Sequence, residues 1–328
     1  MKKILVIQTA FIGDVILATA VVEQLHRNFP EASLDFLLRK GNESLFDNHP
    51  FLNEVIVWEK KRRKYRNLLK VLRSIRHRKY DLVINLQRFV TTGIVTVCSG
   101  AKQTVGFEKN PFSFLFSEKL PHVIGTNANP VHEAERNLSL IEKWTDHSFV
   151  RPRLYPAAED FNKTNPPEKF ITVSPASVWY TKQWPAEKWI DFMNRVGEDI
   201  TIFLLGSRSD VPLCKKIKFN TRHSNITSLA GHLSFLESAA LMQRALMNYV
   251  NDSAPLHLAS AVNAPVTAVY CSTVPAFGFT PLSDVSHVVE TRLALDCRPC
   301  GLHGRNDCPK GHFKCAEIEP EQLLEKLS

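Results

Sequence analysis

Three short stretches carry residue types that could move a proton or hold a phosphate. The first is Phe11-Ile12-Gly13-Asp14-Val15, where an apolar run gives way to a helical pattern. Gly13 permits a tight turn there. Asp14, at the start of a helix, has two readings. It is a helix N-cap, a frequent role for Asp, or a general base that takes a proton from an attacking hydroxyl. The second stretch is Ser174 to Pro185. Ser174 and Ser177 offer hydroxyl donors to phosphate oxygens, and Lys182 offers charge against a developing diphosphate. Taken alone, Lys182 reads more simply as a solvated surface lysine, and Trp179 and Trp184 as packing residues. The third stretch is Asn251 to Ala259, with Pro255 near a helix start. Free backbone N–H groups at such an end form an anion site. The plainer reading is a packed helix with Asp252 or Ser253 as its cap and His257 buried.

The surrounding pattern must position these groups. Ile4-Leu5-Val6-Ile7 is a short continuous apolar run, as in a strand buried on both faces of a parallel sheet. Residues 15–28 then read as a helix, followed by strands over 34–38 and 55–57, a basic helix over 65–78 and a strand over 81–86. Around 151–169 the pattern pauses, with Pro152, Pro156, Pro166 and Pro167 among polar residues, which marks a linker. A second series follows, with strands at 170–173, 200–205, 247–250 and 266–270, helices at 186–196, 235–244 and 254–262, and a closing helix at 319–327. Strands alternating with helices predict a doubly wound α/β architecture built twice. The expected division is 1–155 for one domain, 156–168 for a linker and 169–328 for the other. Ligands in such sheets bind at the carboxyl ends of the strands, so a cleft between the domains is the expected active site.

Composition agrees with a globular protein: 328 residues, 44% hydrophobic and 23% charged. The net charge of +8 suits an anionic partner. Much of the excess sits in one run, Lys60-Lys61-Arg62-Arg63-Lys64-Tyr65-Arg66. Lys2 and Lys3 before an apolar stretch imitate a signal peptide, but Gln8 and Gly13-Asp14 interrupt it. A cytoplasmic protein is expected, in which seven cysteines stand as thiols or metal ligands. Neither G-x-G-x-x-G nor G-x-x-x-x-G-K-[ST] occurs, which argues against dehydrogenase and P-loop readings. There is also no Asp-x-Asp pair to hold a metal–diphosphate.

Together the three stretches resemble glycosyltransferase family 9, the ADP-heptose:lipopolysaccharide heptosyltransferases. The resemblance spans nearly the whole chain. It rests on Gly13-Asp14, on the basic run followed by Tyr80-Asp81 and Gln87, on Lys182-Gln183-Trp184-Pro185, and on Asp252 to Ala259. Ala254 stands where the family usually has Gly. The resemblance implies a GT-B fold, two Rossmann-like domains facing a central cleft, and an inverting, metal-independent transfer with no required cofactor. It implies Asp14 as the base on the acceptor hydroxyl. Ser177, Lys182, Asp252, Ser253, Ala254 and His257 are then donor-binding residues, and Asp210 meets the ribose. Lys60, Lys61, Arg62, Arg63, Lys64 and Gln87 grip an anionic acceptor, the inner core of lipopolysaccharide as Kdo-lipid A or its heptosylated form. Peripheral contact with an anionic inner-membrane surface follows from the same basic run.

Cys297-Arg298-Pro299-Cys300, followed by Cys308 and Cys315, offers a structural zinc site. A set of reduced thiols is the alternative. Two competing functions remain. One is a glycosyltransferase of the same fold using another nucleotide sugar. The other is a nucleic-acid-binding protein, disfavoured because the basic helix lacks interleaved aromatics.

Overall fold

The computed structural model describes residues 1–327. It divides into two compact units, Met1–Gly125 with Val131–Tyr155, and Thr126–Pro130 with the chain from Pro156 onward. In the first unit, β1 (Lys3–Ile7), β2 (Ser33–Arg39), β3 (Leu52–Trp58), β4 (Leu82–Asn85), β5 (Gln103–Phe107) and β6 (Glu118–Leu120) form one sheet in the order β3-β2-β1-β4-β5-β6. Every pairing in it is parallel. Its helices are α1 (Ile12–Asn28), α2 (Lys64–Arg78), α3 (Val90–Val97) and α4 (Glu133–Ser139), and α4 packs on α1.

The second unit repeats the plan. It holds α5 (Ala158–Asn162), β7 (Phe170–Ser174), α6 (Ala186–Met193), β8 (Thr201–Leu204), α7 (Val211–Asn220), β9 (Ile226–Ser228), α8 (Phe235–Arg244), β10 (Met247–Asn251), α9 (Ala254–Ala261), β11 (Val266–Tyr270), β12 (Ser286–Glu290) and α10 (Glu321–Leu324). The sheet runs β12-β11-β10-β7-β8-β9, again parallel throughout. Strands such as β1, β7 and β11 are apolar over most of their length because helices cover both faces of a parallel sheet. In each unit the strand order reverses beside the first strand: between β1 and β4, and between β7 and β10. Ligands of doubly wound sheets bind at the carboxyl ends of such a pair.

Local details differ from the sequence reading. The first helix begins at Ile12 rather than residue 15, so Gly13 lies inside it and makes no left-handed turn. Phe11 occupies the N-cap position without a side-chain bond, so Asp14 is a first-turn residue and not the cap. Residues 156–168 include α5, which packs on α8 and groups with the second unit. The closing helix covers only Glu321–Leu324. No helix among the described residues is long and apolar enough to cross a membrane.

The core of the second unit is aromatic. Trp184 and Trp189 meet edge to face at 4.8 Å, and Trp189 continues to Phe192. Trp189 is fully buried and its indole N–H has no hydrogen-bond partner among the described residues. Trp189→Ala therefore lowers stability by about 3–5 kcal/mol, the usual cost of a large cavity. Trp189→Phe costs much less, since it also removes an unsatisfied donor. Chemical denaturation followed by fluorescence checks the order; equal losses for both variants would contradict this packing account.

Candidate active site

In the first unit the residues converge after β1. Asp14 is half-buried in the first turn of α1. Burial, reinforced by the Glu133 carboxylate, pushes its pKa up to about 7, against the pull of the Phe11 and Asp14 backbone N–H groups and of Arg39. Arg39 ends β2 and lies over the Phe11 ring, 4.7 Å from its centroid. Glu133 begins α4 and is itself pushed up by burial, while Arg136 opposes the shift. The Arg136 guanidinium donates to Glu133 Oε2 at 2.6 and 2.9 Å and to the carbonyls of Val123 and Val131. A carboxylate near neutrality beside a fixed cation is the arrangement general-base chemistry needs. Sequence reading missed Arg39, Glu133 and Arg136, which lie far from Asp14 along the chain.

Lys60 behaves differently from the rest of the basic run. Its ammonium donates to Thr9 O at 2.8 Å and Thr9 Oγ1 at 2.9 Å, and sits 4.7 Å from the Trp58 ring centroid. Burial, then the Arg39 and Lys64 charges, bring its pKa down to about 8. Thr9 Oγ1 donates to Gln87 Oε1 at 2.9 Å, and Gln87 Nε2 donates to Gln8 Oε1 at 2.5 Å. Lys60 and Gln87 thus form one network across the ends of β1 and β4. Lys61, Arg62, Arg63 and Lys64 are exposed beside it. Asn67 holds their backbone, donating to Arg62 O at 2.8 Å.

In the second unit the corresponding reversal carries an ion pair. Lys182 Nζ stands 2.6 Å from Asp252 Oδ2, with both side chains largely buried. Thr273 Oγ1 donates to the same carboxylate at 2.6 Å. Lys182 follows β7 in a short 3-10 turn, and Asp252 follows β10 immediately before α9. Asn251 ties the two connections together: its Oδ1 accepts from Trp184 N at 3.0 Å and its Nδ2 donates to Pro175 O at 2.8 Å. Ser253 is the N-cap of α9 without a side-chain cap bond, and Ala254 is the first helical residue. Ala254 has no positive φ, so its methyl brings no backbone strain at the position where Gly is usual. The Ser177 carbonyl accepts from Gln183 Nε2 at 2.7 Å. Ser174 Oγ is buried with no hydrogen-bond partner among the described residues.

Two predicted donor residues sit in other surroundings. Asp210 uses its carboxylate locally, accepting from Ser207 N at 2.8 Å and Ser207 Oγ at 2.7 Å in a capping box. His257 is buried within α9, its ring near Phe279. The cysteines read either as a zinc site or as reduced thiols, Cys297, Cys300, Cys308 and Cys315, are free thiols that line a single cavity of about 200 Å³. As they stand, no three His, Cys, Asp or Glu side chains among the described residues are arranged to hold a metal ion.

Comparison with known proteins bears on the family and the fold. Lipopolysaccharide heptosyltransferase 3 of Escherichia coli (strain K12) is 26% identical over 81% of this chain and 81% of its own. Lipopolysaccharide heptosyltransferase 2 of the same strain is 24% identical over 99% of this chain and 97% of its own. A solved structure of E. coli ADP-heptose LPS heptosyltransferase II shares the fold at a TM-score of 0.81 and 21% identity, covering 100% of this chain and 97% of that one. The family model for glycosyltransferase family 9 (heptosyltransferase) matches residues 68–304. With that match over most of its length, the chain belongs to glycosyltransferase family 9, the heptosyltransferases.

Proposed function

We propose that this enzyme moves a heptose from ADP-heptose onto the inner core of lipopolysaccharide, inverting the anomeric centre and needing no divalent metal. The observation that carries the mechanism is the Asp14 carboxyl held near neutrality. As the carboxylate it takes the proton of an acceptor hydroxyl. The oxygen attacks the anomeric carbon from the face opposite ADP, through an oxocarbenium-like transition state by analogy with glycoside hydrolysis. The bond to the diphosphate breaks, and ADP leaves with the electron pair.

Charge growing on the leaving diphosphate needs fixed donors. Lys182, the first N–H groups of α9 and the hydroxyls of Ser174, Ser177 and Ser253 supply them in this reading, and Lys182 exchanges part of its bond to Asp252 for the phosphate. The names of the relatives support a transferred heptose and a lipopolysaccharide acceptor, and the solved heptosyltransferase II, named for ADP-heptose, supports the donor. ADP calorimetry in EDTA, beside UDP and GDP, tests the donor assignment. Metal-free ADP binding stronger than that of UDP and GDP is expected; preference for another nucleotide overturns it.

The exposed run Lys61, Arg62 and Arg63 supports recognition of the acceptor's phosphates and carboxylates. The triple alanine variant raises KM for the lipopolysaccharide acceptor about tenfold or more while ADP affinity stays constant, with each surface charge contributing up to about 1 kcal/mol. Steady-state kinetics with purified acceptor checks this. An unchanged KM would remove the run from acceptor binding.

A further inference from the structure

The buried pair of Lys182 and Asp252 is shared by a third side chain. Thr273 Oγ1 donates to Asp252 Oδ2 at 2.6 Å, the same oxygen that Lys182 Nζ approaches to 2.6 Å. Thr273 and Asp252 are 1% and 3% exposed, so bulk water does not compete for the carboxylate. We propose that Thr273 is a positioning residue for the transfer. Its hydroxyl keeps the Asp252 carboxylate in place and hydrogen-bonded while Lys182 turns from it to the leaving diphosphate. The proposal rests on reading Lys182 as a diphosphate ligand.

The chemistry of the three groups sets the role. Lys182 has one charge to divide between Asp252 and a phosphate. Each step toward the phosphate leaves negative charge on a buried carboxylate, which is costly when its partner cation withdraws. A neutral hydroxyl that stays behind stabilises that charge without competing with the phosphate for the ammonium. A threonine hydroxyl has a single proton to donate. Here that proton is directed at Asp252, so Thr273 acts through Lys182 and Asp252 and not on the nucleotide itself.

The aim of that hydroxyl is fixed by the chain around it. Thr273 stands three residues past the end of β11. Arg298 grips this exit from the side. Its Nε donates to Cys271 O at 2.7 Å, and its Nη2 donates to Tyr270 O at 3.2 Å and to Thr273 O at 2.8 Å. Its Nη1 donates to Glu290 Oε1 at 3.1 Å, at the end of β12. A planar guanidinium on three carbonyls and one carboxylate holds the exit in one conformation. The branched side chain of Thr273 adds a restricted χ1.

The same exit also holds the other member of the pair. Ser272 N donates to Thr181 O at 3.2 Å, and Ser272 Oγ donates to Thr181 Oγ1 at 2.9 Å. Thr181 immediately precedes Lys182 in the short 3-10 turn after β7. Neighbouring residues of one strand exit therefore meet Asp252 through Thr273 and the Lys182 backbone through Thr181. The arrangement fixes both ends of the ion pair while leaving the long Lys182 side chain free to turn.

The test is ADP binding by calorimetry in EDTA on the full chain, with Thr273→Val, Thr273→Ser and Lys182→Ala, and with Thr273→Val placed in an Asp252→Asn background. Valine keeps the branched shape and removes the donor. Thr273→Val is expected to weaken ADP about tenfold, the scale of one hydrogen bond to a charged group. Thr273→Ser keeps the hydroxyl and is expected to restore binding to within about twofold of wild type. With Asp252→Asn no charge remains to be held, so adding Thr273→Val should cost less than about twofold more. Should Thr273→Val fail to fold, Thr273→Ala takes its place with the same expectations. An equal loss in both backgrounds makes Thr273 a packing residue and overturns the proposal. Wild-type ADP affinity in Thr273→Val, beside a weakened Lys182→Ala, overturns the role of Thr273 alone. Unchanged affinity in Lys182→Ala removes the diphosphate reading, and the proposal with it.

Discussion

Asp14→Asn lowers the transfer rate by about 10²- to 10⁴-fold, the usual contribution of a positioned general base, while donor binding stays within error of wild type. The substitution keeps size and hydrogen-bonding capacity but removes the only proton acceptor assigned to the reaction. A loss in KM for the donor with an unchanged rate would show that Asp14 binds rather than reacts. The pH profile adds a second signature. With the Asp14 pKa pushed up to about 7, the wild-type rate rises with pH through that value and then levels. Stability moves the other way. The fold favours the protonated carboxyl, a contribution present in full below the ordinary value of 3.8 and lost as pH rises toward about 7. Asp14→Asn should therefore gain stability relative to wild type as pH rises through that window. Denaturation at pH 4 and pH 8 measures the difference; an equal offset at both values would contradict the buried-acid account.

Lys182→Ala weakens ADP binding by about 1.5–3 kcal/mol, roughly 10- to 150-fold, the range for a hydrogen bond to a charged group. The ammonium is largely buried, so the loss is not the small effect of a surface charge. Its removal also leaves the Asp252 carboxylate facing the phosphate with only Thr273 as partner, which adds repulsion. Lys182→Arg tests geometry against charge, because a guanidinium keeps the charge in a different shape. Calorimetry in EDTA on the three proteins gives the answer. ADP affinity unchanged in Lys182→Ala would take the diphosphate away from the β7 connection.

The fold was largely legible because parallel strands buried on both faces read as unbroken apolar runs, as at Ile4–Ile7 and Ile171–Val173. All three motif-bearing connections follow the strands expected of them, β1, β7 and β10, for the same reason. Shorter elements carried no such signal: β6 has three residues, and β5 is interrupted by Gly106. The start of α1 was misread because Phe11, an apolar N-cap, hides the boundary that a Ser or Asp would mark.

The residues of the candidate site stand out one by one in the sequence, but the network that joins them does not. A run of like charges predicts solvation for all its members, yet Lys60 turns inward to meet Thr9, just past β1, and the Trp58 ring at the end of β3. Asp14 acquires its perturbed acidity from burial and from Glu133, and that proximity is produced by α4 packing on α1. Asp210 illustrates the converse. The resemblance implies a ribose contact for it, and in the structure its carboxylate accepts from the N–H and hydroxyl of Ser207, three residues earlier.

The most direct test of the whole account is a transfer reaction. The purified enzyme would be given ADP-heptose and inner-core lipopolysaccharide lacking heptose or bearing one, in EDTA, with the product weighed by mass spectrometry. The account predicts an acceptor heavier by one heptose, formed by wild type and nearly absent with Asp14→Asn. No mass gain from ADP-heptose, or a gain only from a different nucleotide sugar, would contradict it.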